Sequence, residues 1–223
     1  QEVIACVAPA FVGQFGKDAS PAKLKAAMNV LGFADVVEVA IGADLCTVEV
    51  AKDFLEEVPA KQPWMGTSCC PAWSVMAKKL YPEFADYISM ALTPMVITAR
   101  MVKKDRPNAR IVFIGPCSAK KLEANRRTVR SDVDFVLTFE ELQGMFDAMD
   151  IDFAKLEANP EDNMDEGTGM GRGFAVGGGV AAAVVEAIKH IDPEREVKIE
   201  YGDGLKNCRK MLAMAKAGKR DGY

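Results

Sequence analysis

Residues 111–123 read IVFIGPCSAKKLE. Ile111, Val112, Phe113 and Ile114 are an unbroken β-branched and aromatic run, the signal of a buried strand, and Gly115-Pro116 closes it. Cys117 then stands at the carboxyl end of a strand, where open α/β sheets bind their ligands. Lys120 follows three residues later, close enough to serve the same site. A plainer alternative makes Lys120, Lys121 and Glu123 a solvated helix face, and that reading is preferred for Lys121.

Working outward, strand-like and helix-like stretches alternate, which is the pattern of an α/β protein. Residues 3–8 form a short apolar strand. Ser20 and Pro21 read as N-cap and first residue of a helix with Leu24, Ala27, Met28 and Leu31 on one face and Gly32 at its end. A second strand is expected over 36–41. Asp44 then reads as the cap of a helix presenting Val48, Ala51, Leu55 and Val58, stopped by Pro59. Pro71 opens a helix with Trp73, Met76, Ala77 and Leu80 on one face, and Pro94 sits near the start of another running to about residue 104. Arg106-Pro107-Asn108 is a turn. Past residue 123, 135–137 is a strand, and Thr138 with Glu141 forms a capping box. Residues 150–172 read as a long irregular surface excursion. Gly177-Gly178-Gly179 leads into a helix over 180–190, and 197–201 and 205–217 read as a strand and a helix. The pattern fits two α/β lobes with mainly parallel sheets flanked by helices: an N-terminal lobe, 1–104, and a C-terminal lobe, 105–223, with a cleft between them.

Composition limits the function. Of 223 residues, 28 are basic and 32 acidic, a net charge of −4, where nucleic-acid binders usually show a basic balance. No apolar run approaches the ~20 residues of a membrane span. The six cysteines, Cys6, Cys46, Cys69, Cys70, Cys117 and Cys208, are too sparse for a disulfide scaffold, so a reduced, cytoplasmic chain is expected. A single histidine, His190, argues against His-based triads and most zinc enzymes; it reads as the cation at a helix end. Gln1 at the start and Asp221-Gly222-Tyr223 at the end read as cuts inside a longer protein.

Residues 67–73, TSCCPAW, place two thiols at a strand-to-helix junction. Backbone N–H groups and the positive helix end favour thiolate there, and thiolate binds soft metal. Taken alone, this stretch reads equally well as two buried small hydrophobes.

Together, TSCCPAW and GPCSAKKLE resemble the first two cluster-binding signatures of the iron-only hydrogenases. Val7-Ala8-Pro9-Ala10, Ala43-Asp44-Leu45, Gly178-Gly179-Val180 and residues 216–221 are similar to further landmarks of that catalytic domain, so the resemblance covers nearly the whole chain. It implies the iron-only hydrogenase-like fold and the H-cluster, a [4Fe-4S] cubane joined to a two-iron subcluster with CO and cyanide ligands. It also implies reversible reduction of protons to H2 with a ferredoxin-type electron carrier, and maturation proteins as partners of the parent enzyme. Cys70 and Cys117 take the place of cubane ligands. Cys69 takes that of the proton donor and acceptor, and Lys120 that of the cyanide partner. By the same resemblance Pro9, Pro94, Gly178 and Gly179 are expected at the cofactor pocket, with a tightly packed helix entry as the equal alternative for the two glycines. Glu49 with Asp53, one helical turn apart, stands either for the proton path or for a solvated face.

The sequence also departs from the family. The third signature, with two further ligands in a Cys-x-x-x-Cys spacing, is absent, so the chain by itself is expected to lack an intact H-cluster and to be inactive. Gly115 stands where methionine is usual, Ala10 where a small hydroxyl is frequent, Met95 where glutamine is common, and Val50 at an expected acidic position. Cys6, Cys46 and Cys208 read as idle thiols. Two alternatives stay open: a hydrogenase-like iron–sulfur assembly or interaction factor related to prelamin-recognition proteins, and an H2 sensor. The adjacent thiols Cys69 and Cys70 favour the enzyme.

Overall fold

The computed structural model describes residues 1–164 and 166–223. One four-stranded parallel sheet has the order β2-β1-β3-β4, from β1 (Val3–Val7), β2 (Asp35–Glu38), β3 (Arg110–Gly115) and β4 (Phe135–Thr138). β1 pairs with β2 from Ile4↔Asp35 to Val7↔Glu38 and with β3 from Val3↔Arg110 to Val7↔Ile114. Parallel sheets covered on both faces are built from near-continuous apolar strands, and Ile4, Ala5, Cys6, Val7, Ile111 and Ile114 are all fully buried.

The sheet does not follow the division expected at residues 104/105. β1, from the first part, is hydrogen-bonded along its length to β3, from the second. One core joins both parts: Leu24 and Met28 of α1 (Pro21–Val30), Met95 and Ala99 of α4 (Pro94–Asp105), and Leu142 and Phe146 of α6 (Phe139–Ala148) pack with the strands. Phe15 meets Phe146 edge-on at 5.4 Å, and Phe146 meets Phe153 at 5.3 Å.

Local chemistry sets the helix starts. The Ser20 hydroxyl accepts the Lys23 N–H, and Thr138 and Glu141 form the reciprocal capping box. Two boundaries differ from expectation. β2 ends at Glu38, and Ile41 already belongs to α2 (Ala40–Glu57). Asp44 is therefore inside the helix instead of capping it, and its carboxylate accepts the Thr168 N–H at 2.8 Å and the Thr168 hydroxyl. The buried face of α2 turns accordingly to Cys46, Val50, Ala51 and Phe54, while Val48 is exposed. Leu80, at the end of α3 (Pro71–Leu80), is exposed as well.

The excursion over 150–172 folds back on the sheet. Glu38, 1% exposed, takes both Nε and Nη2 of Arg172 and the Gly167 N–H, which ties down the short α7 (Gly169–Arg172). Asp165, inside this stretch, lies outside the described residues. Between α6 and α7 no further strand or helix is formed among the described residues.

A second region packs beside the sheet layer. α2 meets α8 (Gly179–Ile191) through Phe54, Val184 and Ile188. Trp64, Ala77, Phe84 and Ile88 meet Leu212 of α9 (Gly204–Lys216). The strand expected over 197–201 does not form among the described residues and joins no ladder; Lys198 N–H donates to the Gly222 carbonyl at 3.3 Å. β propensity needs a partner strand to become a strand.

Candidate functional site

In a sheet ordered β2-β1-β3-β4, the chain leaves β1 toward one side and returns through β3 on the other. The crevice at the carboxyl ends of β1 and β3 is thus the topological switch point. Ala8 N–H donates to the Ile114 carbonyl at 2.8 Å, which holds Pro9 beside the loop carrying Cys117. Gly115 has a packing reason: a Cβ there would stand 2.6 Å from the Phe113 ring. The ring of Phe113 in turn lies 6.0 Å from the Lys120 ammonium.

The TSCCPAW stretch reaches this crevice from the neighbouring region. Cys70 is the residue before Pro71, in extended conformation, and its carbonyl accepts the Ser74 N–H at 3.0 Å. Trp73 Nε1 donates to the Thr67 carbonyl at 2.8 Å and closes the turn. Cys70 and Cys117 are exposed and Cys69 is half-buried. Lys120, on the short α5 (Ala119–Ala124), bridges the two stretches: its Nζ donates to the Cys69 carbonyl at 3.0 Å and to Glu123 Oε2 at 2.7 Å. The solvated-face alternative does not hold at Glu123. Glu123 is 1% exposed, and its other oxygen accepts the Thr93 hydroxyl. Lys121 does face solvent, paired with Glu141.

Burial dominates at the Cys69 thiol. Desolvation pushes its thiol up to about 11, against the lowering effect of Lys120. Desolvation likewise raises Cys46 and Cys6 to about 12 each, as expected of inert buried thiols. Cys208 departs from the idle reading in one respect. It lines, with Cys69 and Cys70, an apolar cavity of about 480 Å³ that also contacts Val50, Val184 and Tyr201. Its thiol donates to the Gly202 carbonyl at 3.3 Å. Its position inside a polar-looking helix gave no signal of this.

The remaining expected residues divide. Pro9 borders a second cavity, about 640 Å³, shared with Glu38, Asn163 and Arg172. Pro94 is buried as the first residue of α4. Gly178, at φ +79°, occupies the left-handed conformation before α8, and a Cβ there would lie 2.6 Å from the Tyr201 ring. At Gly179 a Cβ would lie 1.7 Å from the Gly173 carbonyl oxygen. Close approach to protein is present at both glycines, and Gly178 also borders the apolar cavity of Cys69 and Cys70. Asp53 accepts the Ser89 hydroxyl at 3.3 Å. Glu49 is exposed and pairs with Lys52 at 3.0 Å, which matches its solvated-face alternative. His190 caps its own helix through the Glu186 carbonyl.

A sequence profile described as "Iron only hydrogenase large subunit, C-terminal domain" matches residues 1–223. The chain belongs to that family. Iron hydrogenase 1 of Clostridium pasteurianum is 33% identical over 90% of this chain and 39% of its own length. The periplasmic [Fe] hydrogenase large subunit of Nitratidesulfovibrio vulgaris is 34% identical over 83% of the chain and 49% of its length. A solved structure of apo [FeFe]-hydrogenase HydA1 from Chlamydomonas reinhardtii superimposes with a TM-score of 0.71 at 28% identity, covering 92% of this chain and 57% of that one. The cytosolic Fe-S cluster assembly factor NAR1 of Kluyveromyces lactis is 30% identical over 53% of the chain. The chain spans less than half the length of the curated hydrogenases named here.

Iron–sulfur proteins and hydrogenase oxidoreductases thus share this fold. A cubane takes four cysteine thiolates. Cys70 and Cys117 offer two, and among the described residues no group of three or more Cys, His, Asp or Glu side chains is placed to hold a metal ion. The donor set fits half of such a centre and does not complete it. Cys117 also does not border the apolar cavity shared by Cys69 and Cys70.

Proposed function

We propose that this chain is the part of an iron-only hydrogenase catalytic domain that supplies Cys70 and Cys117 to an H-cluster, with the other cubane ligands coming from outside residues 1–223. The reaction of the parent protein is reversible reduction of protons to H2, with electrons from a ferredoxin-type carrier. The carrying observation is the Lys120 bridge to the Cys69 carbonyl, which joins the two thiol-bearing stretches at the switch point of the sheet. A lysine there suits an anionic iron ligand, because charge-assisted hydrogen bonds are the strong ones. Cys69 is the thiol we assign to proton handling, with the Asp53–Ser89 pair as the polar group behind it. In this reading the protein works in a reducing compartment, the cytoplasm, and its cluster is inserted by maturation proteins.

A second reading rests on a specific observation: relatives that match about half of the chain carry the name of cytosolic Fe–S cluster assembly factors. Such a protein would hold a cubane without hydrogenase turnover. H2 evolution by the full-length protein after anaerobic maturation separates the two. The hydrogenase reading expects turnover with infrared bands of CO and cyanide; cubane iron without those bands would favour the assembly reading.

A further inference from the structure

Thr93 is the residue that begins α4, in the extended conformation of an N-cap. A hydroxyl in that place ordinarily accepts an N–H from the first turn, but Thr93 makes no such bond. Its hydroxyl donates instead to Glu123 Oε1, across from one helix to another. Glu123 is almost wholly buried, and its second oxygen receives the Lys120 ammonium at 2.7 Å. The ammonium then reaches the Cys69 carbonyl at 3.0 Å. Three elements with no sequence proximity are linked in a single chain of hydrogen bonds: the start of α4, the helix α5 and the turn before α3.

We propose that Glu123, oriented by Thr93, is the positioning residue that aims the Lys120 ammonium at the Cys69–Cys70 turn. The geometry gives each partner one task. A carboxylate has acceptor sites on both oxygens and no donor, so Thr93 on Oε1 leaves Oε2 for Lys120 and fixes the rotation of the carboxylate. Lysine is a flexible point charge on a four-carbon stem, so without a fixed counter-charge it has no defined direction. With it, two of the three N–H donors are engaged, on Glu123 and on the Cys69 carbonyl, and one is left for an acceptor at the crevice. The nearby Phe113 ring keeps the stem on that side. This orientation belongs to the metal-free chain. Its consequence, that Lys120 presents one donor to an anionic iron ligand, rests on the hydrogenase reading above.

The test uses the metal-free chain and the reactivity of each lysine toward acetic anhydride, resolved by peptide mass spectrometry, with exposed Lys155 as internal standard. Thr93→Val replaces the hydroxyl by a methyl of the same shape, and Thr93→Ser keeps the hydroxyl. The expected result is slow labelling of Lys120 in the wild type and a rise of about fivefold in Thr93→Val, the ratio expected for losing one hydrogen bond. Thr93→Ser should restore the wild-type rate, and Glu123→Gln should exceed Thr93→Val. A lower melting temperature in Thr93→Val with Lys120 labelling unchanged relative to Lys155 would overturn the proposal, because it would make Thr93 a packing residue only. If Glu123→Gln does not fold, the Val and Ser pair decides alone. No iron enters the measurement, so a full-length protein that matures without H2 evolution or CO and cyanide bands would remove the hydrogenase reading and leave this result standing.

Discussion

The layer around β1 and β3 and the region around α3, α8 and α9 are built from similar residues but finished to different degrees. In the first, every strand is paired, and the faces are closed by Leu24, Met28, Leu142 and Phe146, each fully buried. In the second, residues 197–201 join no ladder among the described residues, and an apolar cavity of about 480 Å³ lies beside them. The two thiol-bearing stretches lie on opposite sides of that boundary, Cys117 on the finished layer and Cys69-Cys70 on the other. The candidate site therefore takes one thiol from the closed layer and two from the more open region, and the Lys120 bridge is the stitch between them.

That contrast is open to direct attack. Phe146→Ala removes a ring that is fully buried between Phe15 and Phe153 and should cost about 3–5 kcal/mol. Leu205→Ala, in the second region and 59% exposed, should stay within about 0.5 kcal/mol. Denaturant midpoints at constant slope measure both, and comparable losses would erase the contrast.

Helix caps give a smaller version of the same comparison. Thr138→Ala destroys a complete capping box and should cost about 1 kcal/mol. Asp203→Ala removes a side chain that makes no capping bond at α9 and should cost less. Equal losses in thermal unfolding would show that α9 depends on its N-terminus as much as α6 does.

Acid should act on the finished layer through Asp134. Burial alone would raise its carboxyl. The Ile111 N–H, Arg110 and Lys103 outweigh burial and hold it below the usual carboxylate range. Because the folded value is the depressed one, its contribution is complete above the ordinary pKa of aspartate, about 3.9, and disappears as pH falls through the folded value. Asp134→Asn should flatten that part of the acid-stability curve. Glu83→Gln, at the exposed pair with Lys216, should change it little.

Much of this was legible in local patterns. The strand at Ile111–Ile114, the Ser20 cap and the Thr138 capping box are short-range signals, and the structure reproduces them. The α/β class follows from their alternation. What was not legible depends on partners distant in sequence. Asp44 looks like a cap until Thr168 arrives 124 residues later. Residues 197–201 look like a strand but have no ladder to join. Glu123 looks like a surface residue because the hydroxyl that buries its charge comes from Thr93. At the candidate site the thiols at 70 and 117 were readable from their junctions. That Cys208 shares a cavity with Cys69 and Cys70 was not, since a cysteine within a helix carries no local mark of what it faces.

The central claim is that Cys70 binds iron and its neighbour Cys69 does not. Iron content after anaerobic maturation of the full-length protein, compared among wild type, Cys70→Ser and Cys69→Ser, tests it most directly. The account predicts that Cys70→Ser loses cubane iron, while Cys69→Ser keeps it and loses H2 evolution. Equal iron loss in the two variants would contradict it.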